Sequence, residues 1–289
     1  MKKIINTLAF ICLYGTAYMV SLLPMRMLYG LSNIVYMVIV HVVPYRKRVV
    51  IQNLSRSFPE MNYKAIENTM SAFYRSFTDN FAEILKAISI PFLQQASKLT
   101  LINFDIVTEQ IKLGKSVIAS MGHCGNWEIM NVLPGILQVN SYAVYQPLKA
   151  KIVDRLFLTL RSRFGMQLIP ATAVARHFLS KKDHPSLYLF LADQCPKLVD
   201  DKYRFDFLHQ QTSTFPGIEK LAQATGAVVV YMHVLRTARG TYSAECKIIS
   251  TDSVLIKETE ITQNYIHHLE RNIQEQPSSW LWTHKRWKR

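Results

Sequence analysis

Apolar residues are concentrated at the start of the chain, where the twenty residues from Ile4 to Leu23 carry no charge. A helix of that length rises about 30 Å, which matches the hydrocarbon thickness of a bilayer. Lys2 and Lys3 precede the stretch and Arg26 follows it. Its later part holds tyrosine and methionine rather than the small residues of a cleavage site. The pattern therefore predicts an uncleaved membrane anchor instead of a signal peptide.

A second apolar stretch, Leu28 to Val43, is interrupted by polar residues and ends at Pro44, before the basic cluster Arg46 to Arg48. Two interpretations fit it: a buried helix of the globular part, and a helix lying in the membrane interface. The basic cluster suits an anionic cytoplasmic leaflet in either case. We therefore expect an anchor with an interfacial helix over residues 1–45 and a globular domain over residues 46–289.

After residue 45 the pattern changes to that of an α/β protein. Between Asn62 and Ser89 the apolar positions step by three or four, which predicts one helix with a buried stripe, and Pro91 ends it. Short β-rich runs then alternate with helical patterns, although residues 193–214 show no clear pattern. The alternation predicts a mostly parallel central sheet flanked by helices. The expected strands are 116–121, 141–145, 187–192, 227–235 and 243–249, and the expected helices are 127–137, 152–164, one from near 215, and 257–276.

The charge balance narrows the class of partner. The chain has 34 Lys and Arg against 20 Asp and Glu, a formal net charge of +14. Such a surface favours nucleic acid, anionic lipid headgroups or an acidic carrier protein. The four cysteines have no C-x-x-C pair, which argues against a zinc site or a disulfide framework and for a reducing compartment.

Candidate chemistry follows two of the predicted strands. Ligands of a parallel sheet gather beyond the carboxyl ends of its strands, so the residues there are the first to consider. GHCGNWE, residues 122–128, follows the first predicted strand. Asp193 and Gln194 follow the third.

The spacing within GHCGNWE predicts a base assisted by an acid. Gly125 lets the backbone turn sharply and Asn126 can cap the next helix, which puts Glu128 in its first turn. From there the carboxylate can reach one ring nitrogen of His123, leaving the other to accept a proton. The chain has no G-x-S-x-G motif, so that proton would come from a substrate hydroxyl. Backbone N–H groups from Gly125 to Trp127 would hold a developing oxyanion.

Each candidate also has a structural interpretation. A lone histidine often serves packing, and an acidic residue in a first helical turn often only complements the helix dipole. Asp193 fits a common turn former, and Arg161 and Arg163 fit favourable charges at a helix C-terminus. The coincidence of His123 and Glu128 with glycines and a strand end favours acid–base chemistry.

The chain ends in WLWTHKRWKR, residues 280–289. Tryptophans interleaved with Lys and Arg predict an anchor at the membrane interface, with Lys285 and Arg286 near a lipid headgroup. The alternative is a last strand or turn packed on the sheet. A nucleic-acid-binding patch fits less well.

The order and spacing of several segments resemble one family, the bacterial lipid A biosynthesis lauroyl/myristoyl acyltransferases of the lysophospholipid acyltransferase-like superfamily. The resemblance spans nearly the whole chain. It implies a glycerol-3-phosphate acyltransferase-like α/β fold with an N-terminal membrane helix and an acyltransferase domain over residues 46–289. The segments are SLLPMRMLYGLSNIVYMV, YRKRVVIQNLSRSFPE, HCGNWE, VYQPLK, LRSRFG, FLADQ and WLWTHKRWK.

The resemblance implies transfer of a fatty acyl chain from acyl carrier protein to a hydroxyl of a lipid A precursor or related envelope glycolipid. The reaction would take place at the cytoplasmic face of the bacterial inner membrane, without a metal, another cofactor, nucleic acid or a covalent acyl-enzyme. By position, His123 matches the general base and Glu128 its partner. The residues expected to bind substrate or support the site are Arg161, Asp193, Gln194, Gly125 and Asn126, with Arg163 in place of Arg161 if the alignment shifts.

Two positions depart from the family pattern. Gln146 stands in VYQP where relatives commonly have Arg, and LKAK follows where Asn-Pro is common. Both concern contacts with the acceptor headgroup. Three alternatives remain: an acyltransferase for a different envelope lipid, a membrane-associated thioesterase or lipid hydrolase that uses water as acceptor, and a noncatalytic basic protein that binds membranes or nucleic acid.

Overall fold

The computed structural model describes residues 2–180, 184–196 and 199–287, in which helices surround a seven-stranded sheet. The helices are α1 Lys2–Ser21, α2 Met25–Met37, α3 Lys47–Ser57, α4 Tyr63–Lys86, α5 Phe92–Ala96, α6 Asp105–Lys112, α7 Leu133–Leu137, α8 Lys151–Arg161, α9 Val174–Ser180, α10 Gly217–Thr225 and α11 Glu260–Glu275. The strands are β1 Leu99–Ile102, β2 Val117–Met121, β3 Ser141–Tyr145, β4 Gln167–Pro170, β5 Leu187–Leu191, β6 Arg204–Phe207, β7 Gln210–Ser213, β8 Val228–Ala238 and β9 Thr241–Ser250.

The strand order in the large sheet is β1-β9-β8-β2-β5-β3-β4. All neighbouring pairs are parallel except β8 and β9, which are joined by a short turn and run antiparallel. The predicted mostly parallel sheet flanked by helices is therefore confirmed, with its five expected strands present as β2, β3, β5, β8 and β9. The antiparallel hairpin of β6 and β7 lies outside this sheet, in the region without a clear pattern.

The central strands are buried on both faces because helices cover each side of the sheet. Every residue of β2 is buried, as are the first four of the five residues of β5 and the first seven of the eleven residues of β8. Side chains of one face pack with α10 and α11, and those of the other face pack with α6 and α7. Side chains alternate between faces along a strand, so this covering requires continuous apolar runs such as VIASM and LYLFL.

Helix α2 is packed along α4 through polar contacts. Ser32 Oγ donates to Asp79 Oδ1 at 2.7 Å, and the hydroxyl groups of Tyr36 and Ser71 are 2.7 Å apart. Arg239, from the β8–β9 turn, forms an ion pair with Asp79 from the other side. These contacts fasten α2 to the globular part, while a domain boundary at residue 45 stays a prediction.

In the described part of the chain, one helical stretch is long and apolar enough to cross a membrane, Met25–Val42, which joins α2 to a π-helical turn, Val38–Val42. One face of this stretch contacts α4, and the other exposes apolar side chains. The contacts with α4 fit the interpretation as a helix of the globular part, and the interpretation as a helix in the membrane interface stays a prediction. Helix α1 also exposes apolar residues, and the anchor over Ile4–Leu23 stays a prediction. The exposed apolar residues include Leu8, Ile11, Met19, Leu22, Met27, Leu31, Ile34, Val35 and Val42.

The prediction of a C-terminal membrane-interface anchor is wrong, and the alternative of a turn packed on the sheet is right. Trp280 and Trp282 are fully buried, and Trp280 forms a β-bridge with Cys124. Arg286, only 3% exposed, donates to the carbonyl of Ser213 in β7 at 2.6 Å. The indoles and the arginine therefore make their hydrogen bonds inside the protein rather than with lipid headgroups.

We predict that Arg286→Glu lowers the free energy of unfolding by at least about 3 kcal/mol, because it places an unpaired carboxylate in the interior near Asp193. Lys285→Glu is the matched control, since Lys285 is exposed and should change stability by less than about 0.5 kcal/mol. Denaturant unfolding of both variants tests this. Similar losses for the two variants would contradict the buried position of Arg286.

Candidate active site

A cavity of about 360 Å³ lies beyond the carboxyl ends of β2, β3 and β5. The strand-end position predicted for the site is where this cavity is found. The cavity wall is mainly apolar, with several polar side chains that include His123. The residues that line it include Met121, Met130, Met166, Leu189 and Leu191, and the polar residues His123, Glu128, Arg161 and Gln194.

The loop after β2 is shaped by two glycines. A Cβ atom at Gly122 would lie 2.3 Å from Leu269 Cδ1 of α11, so a side chain there would displace the Leu269 side chain. Gly125 has a φ of +58°, the left-handed region that glycine tolerates best. The turn brings His123 to the cavity and sends the Cys124 side chain into the core, where it is fully buried.

The carboxylate that holds His123 belongs to Asp193. Asp193 Oδ1 lies 2.5 Å from His123 Nδ1, and Oδ2 accepts from the His123 backbone N–H at 2.8 Å. Trp280 Nε1 donates to the same Oδ2 at 2.7 Å. Burial alone would raise the pKa of Asp193, but the charge and hydrogen bonds of His123, with the indole N–H, lower it to about 2. Asp193 is therefore an ionised carboxylate, 2% exposed, behind the imidazole.

Strand register explains this pairing. β2 and β5 are neighbours with Met121 opposite Leu191. His123 and Asp193 each come two residues after those partners, so they leave the sheet side by side. The contact is nonlocal in sequence but follows directly from the pairing of the two strands.

The prediction that Glu128 orients His123 is wrong. Residues Trp127–Val132 form a 3-10 helix, and the Glu128 side chain turns to α8. There it accepts two hydrogen bonds from Arg161, from Nε at 2.8 Å and from Nη2 at 2.5 Å. Burial would lower the pKa of Arg161, but the hydrogen bonds and charge of Glu128 raise it. The result is a bidentate ion pair on the cavity wall.

Of the two candidate arginines, Arg161 faces the cavity and Arg163 does not reach it. Arg163 donates from Nη1 to the carbonyl of Ala87, just after α4, and its guanidinium lies over the Phe164 ring. Because α8 ends at Arg161, the chain turns away before Arg163. The alternative assignment to Arg163 is therefore wrong.

Gly125 and Asn126 hold the histidine loop through hydrogen bonds to residues outside the cavity. The Gly125 N–H donates to the Ser279 carbonyl at 2.9 Å. The expectation that this amide holds the oxyanion is therefore wrong. Asn126 Nδ2 donates to Glu83 Oε2 at 2.9 Å. Gln194 lies on the other side of the histidine, with its Nε2 at 3.4 Å from His123 Nε2, and it lines the cavity.

Sequence reasoning missed two buried supports of the site, Trp280 and Glu83. Glu83 in α4 is 5% exposed and accepts hydrogen bonds from Asn126, from Tyr242 Oη at 2.7 Å and from Tyr29 Oη at 3.1 Å. It thereby joins α2, β9 and the histidine loop. An acidic residue on the buried stripe of α4 was the one available signal, because such a residue requires internal donors.

Within the described residues, no three His, Cys, Asp or Glu side chains are arranged as metal ligands. The expectation of a reaction without metal or cofactor stays a prediction.

Two kinds of known protein are similar to this chain. Residues 3–289 match the family described as bacterial lipid A biosynthesis acyltransferase. The phosphatidylinositol mannoside acyltransferase of Mycolicibacterium smegmatis is 22% identical over 245 residues, which cover 82% of this chain and 78% of that protein.

We predict that Glu83→Ala lowers the free energy of unfolding by about 3 kcal/mol or more, because it leaves three donors without their shared acceptor. Glu67→Ala is the control on the same helix, since Glu67 forms only an exposed pair with Lys64 and contacts the hydroxyl of Tyr63. It should change stability by less than about 1 kcal/mol. Thermal unfolding distinguishes the two, and equal effects would show that Glu83 does not support the loop.

Proposed function

Because the chain belongs to the bacterial lipid A biosynthesis acyltransferase family and is an O-acyltransferase acting on a lipid or glycolipid, we propose a donor and an acceptor. The donor is acyl carrier protein, and the acceptor is a hydroxyl of a phosphorylated glycolipid of the lipid A type. One observation carries the proposal: Asp193 holds His123 at Nδ1 while the ring faces an apolar cavity. That arrangement suits a base that deprotonates an alcohol beside a hydrocarbon chain.

The reaction proceeds through His123 Nε2. With Nδ1–H donated to Asp193, Nε2 carries a lone pair and accepts the proton of the acceptor hydroxyl. The hydroxyl oxygen attacks the thioester carbonyl and forms a tetrahedral intermediate. The ionised carboxylate of Asp193 stabilises the imidazolium. Collapse of the intermediate forms the ester and breaks the carbon–sulfur bond, and the imidazolium returns the proton to the thiolate.

Direct transfer, without an acyl-enzyme, fits the state of Cys124. This thiol follows His123 in sequence but is fully buried. Burial raises its pKa well above the usual range, and the charge of Asp193 raises it further. A protonated thiol in the core is a poor nucleophile, which leaves the substrate hydroxyl as the attacking group.

Two side chains on the cavity wall are suited to the negative charge of the intermediate. The Gln194 amide lies next to Nε2, where a donor to the oxyanion is needed. Arg161 is held rigidly by Glu128 and keeps its positive charge. In this proposal Gln194 binds the oxyanion, and the Glu128–Arg161 pair positions the reacting groups at the cavity mouth.

The apolar cavity holds the acyl chain of the donor. Burying hydrocarbon contributes about 0.8 kcal/mol for each methylene group, so a cavity of fixed depth discriminates between chain lengths. Met121, Met130 and Met166 form much of its wall. Methionine adapts to a flexible alkyl chain better than branched side chains do.

Charge and exposed apolar surface support the two partners. A net charge of +14 suits both an acidic carrier protein and a phosphorylated headgroup. The exposed apolar faces of α1 and α2 suit a bilayer surface. The cysteines are all free, which fits the cytoplasmic side of the bacterial inner membrane as the place of the reaction.

We predict that Asp193→Asn lowers the kcat of acyl transfer by roughly 10²–10⁴-fold, because the imidazole loses the carboxylate that fixes its tautomer and stabilises its charge. Glu128→Gln should keep kcat within about tenfold and act mainly on KM, since it changes the arginine pair and not the histidine. Steady-state kinetics of the two variants tests this. A larger kcat loss for Glu128→Gln would reverse the assignment.

The acceptor is tested with purified enzyme in detergent micelles and an acylated carrier protein. Three parallel reactions contain a phosphorylated disaccharide glycolipid, a mannosylated phosphatidylinositol, or no lipid acceptor. The mannosylated lipid is included because the relative from Mycolicibacterium smegmatis is named for it. We expect mass spectrometry to find one added acyl chain on the disaccharide glycolipid.

Acylation of the mannosylated lipid alone would assign the other envelope lipid, and free fatty acid at the same rate with and without acceptor would indicate a hydrolase. His123→Ala should lower transfer by roughly 10²–10⁴-fold. His267→Ala, at an exposed histidine of α11, is the matched control and should transfer at the wild-type rate.

A further inference from the structure

An apolar groove lies beside the active-site cavity. It lies between α4 and α8 and has a volume of about 230 Å³. Phe77, Phe81 and Ile84 of α4 form one wall, and Phe157 of α8 forms the other. The groove and the cavity share Trp127, Glu128, Leu148 and Arg161 in their linings. The two spaces are therefore adjacent, and the Glu128–Arg161 pair lines both.

Helix α1 packs against the two helices that wall the groove. This helix contacts both walls: Lys86 of α4 donates to the Ser21 carbonyl at 2.9 Å, and the guanidinium of Arg155 in α8 lies 4.0 Å from the ring centre of Phe10. Phe81 stands at the outer lip and is 54% exposed. Helix α1, which exposes apolar side chains, is therefore packed against both helices that wall the groove.

We propose that this groove binds an alkyl chain of the lipid acceptor and admits it to the active site from the bilayer. The inference rests on the proposed function and adds where the second substrate lies. Transfer requires both substrates at His123 together, while the cavity holds only the donor chain. An acceptor chain left in water would cost about 0.8 kcal/mol for each methylene group. The groove provides apolar contact for that chain from the membrane to the reacting hydroxyl.

A larger cavity, of about 590 Å³, is the rival location. It reaches the other face of the sheet at Phe190 and Ala192, but it shares Leu191, Gln194 and residues 144–146 with the active-site cavity. Its remaining walls come from α9, α10 and nearby loops. The contacts of α1 with α4 and α8, the two helices that wall the groove, favour the groove as the path for a chain that starts in the bilayer.

The test measures acceptor chain-length dependence with the enzyme in an amphipathic polymer, without free micelles, and with the probes below their critical micelle concentration, so that each chain passes from water into the groove. The probes are synthetic phosphorylated disaccharide glycolipids whose hydroxyacyl chains lengthen stepwise. For the wild-type enzyme we expect the acceptor KM to fall by up to about fourfold for each added methylene. Ile84→Trp, which fills the groove, and Phe81→Asp, which puts a charge at its lip, should make KM nearly independent of chain length. Phe81 is exposed, so Phe81→Asp tests the groove even if Ile84→Trp folds poorly.

Two controls accompany these variants. Leu255→Asp makes the same kind of change at a leucine that is 82% exposed and outside the groove, and Ala171→Trp narrows the larger cavity. Both should keep the wild-type dependence on acceptor length. In all variants the dependence of KM on the length of the donor chain should stay within about twofold of wild type, because that chain lies elsewhere.

Three results would overturn the groove assignment: an unchanged acceptor dependence in both groove variants, loss of that dependence in Ala171→Trp, or loss of the donor dependence in the groove variants. If the wild-type enzyme transfers acyl chains to the probes with any of these results, only the groove assignment fails. If the wild-type enzyme transfers to none of the probes, the proposed function fails and the groove assignment fails with it.

Discussion

The site depends on one buried carboxylate with three hydrogen-bond donors. Asp193 accepts hydrogen bonds from the His123 ring, the His123 backbone N–H and the Trp280 indole N–H. His123 lies just after β2, and Trp280 lies in the C-terminal segment. An isolated carboxylate at this depth would be protonated, and the three donors keep it charged. The same contacts fix the ring orientation, so the electrostatic balance of one residue sets both the geometry and the basicity of the site.

A second polar centre connects the histidine loop to α2, a helix that exposes apolar side chains. Asp79 and Glu83 lie one turn apart on α4 and bind α2, the β8–β9 hairpin and Asn126. Buried carboxylates of this kind specify one arrangement of the helices, because any other would leave a charge without its partners. The helices with exposed apolar faces are therefore held in a defined position relative to the histidine.

The sequence predicted the parts of the fold that carry a strong local signal. Central strands such as β2 and β5 are buried on both faces and read as continuous apolar runs. β1 and β4 are the edge strands, with only four residues each and mixed burial, so they lack that signal. The hairpin of β6 and β7 consists largely of polar residues and was missed for the same reason.

The sequence indicated where the candidate site lies, but not which carboxylate contacts His123. The strand-end rule located His123, Asp193 and Gln194, because it depends only on the order of strands and turns. The partner of His123 depends on which strands are neighbours, and no local spacing contains that information. The prediction for Trp280 failed for the same reason. Tryptophans beside cations are typical of a membrane interface, but a buried indole needs an acceptor for its N–H, and here that acceptor is Asp193.

The most direct measurement of the central contact is nitrogen-15 NMR of the His123 ring in wild-type protein, Asp193→Asn and Glu128→Gln. In wild type and in Glu128→Gln we expect a proton on Nδ1, shifted far downfield by its hydrogen bond to a carboxylate. Asp193→Asn should lose that downfield signal. A signal that persists in Asp193→Asn and disappears in Glu128→Gln would contradict the account.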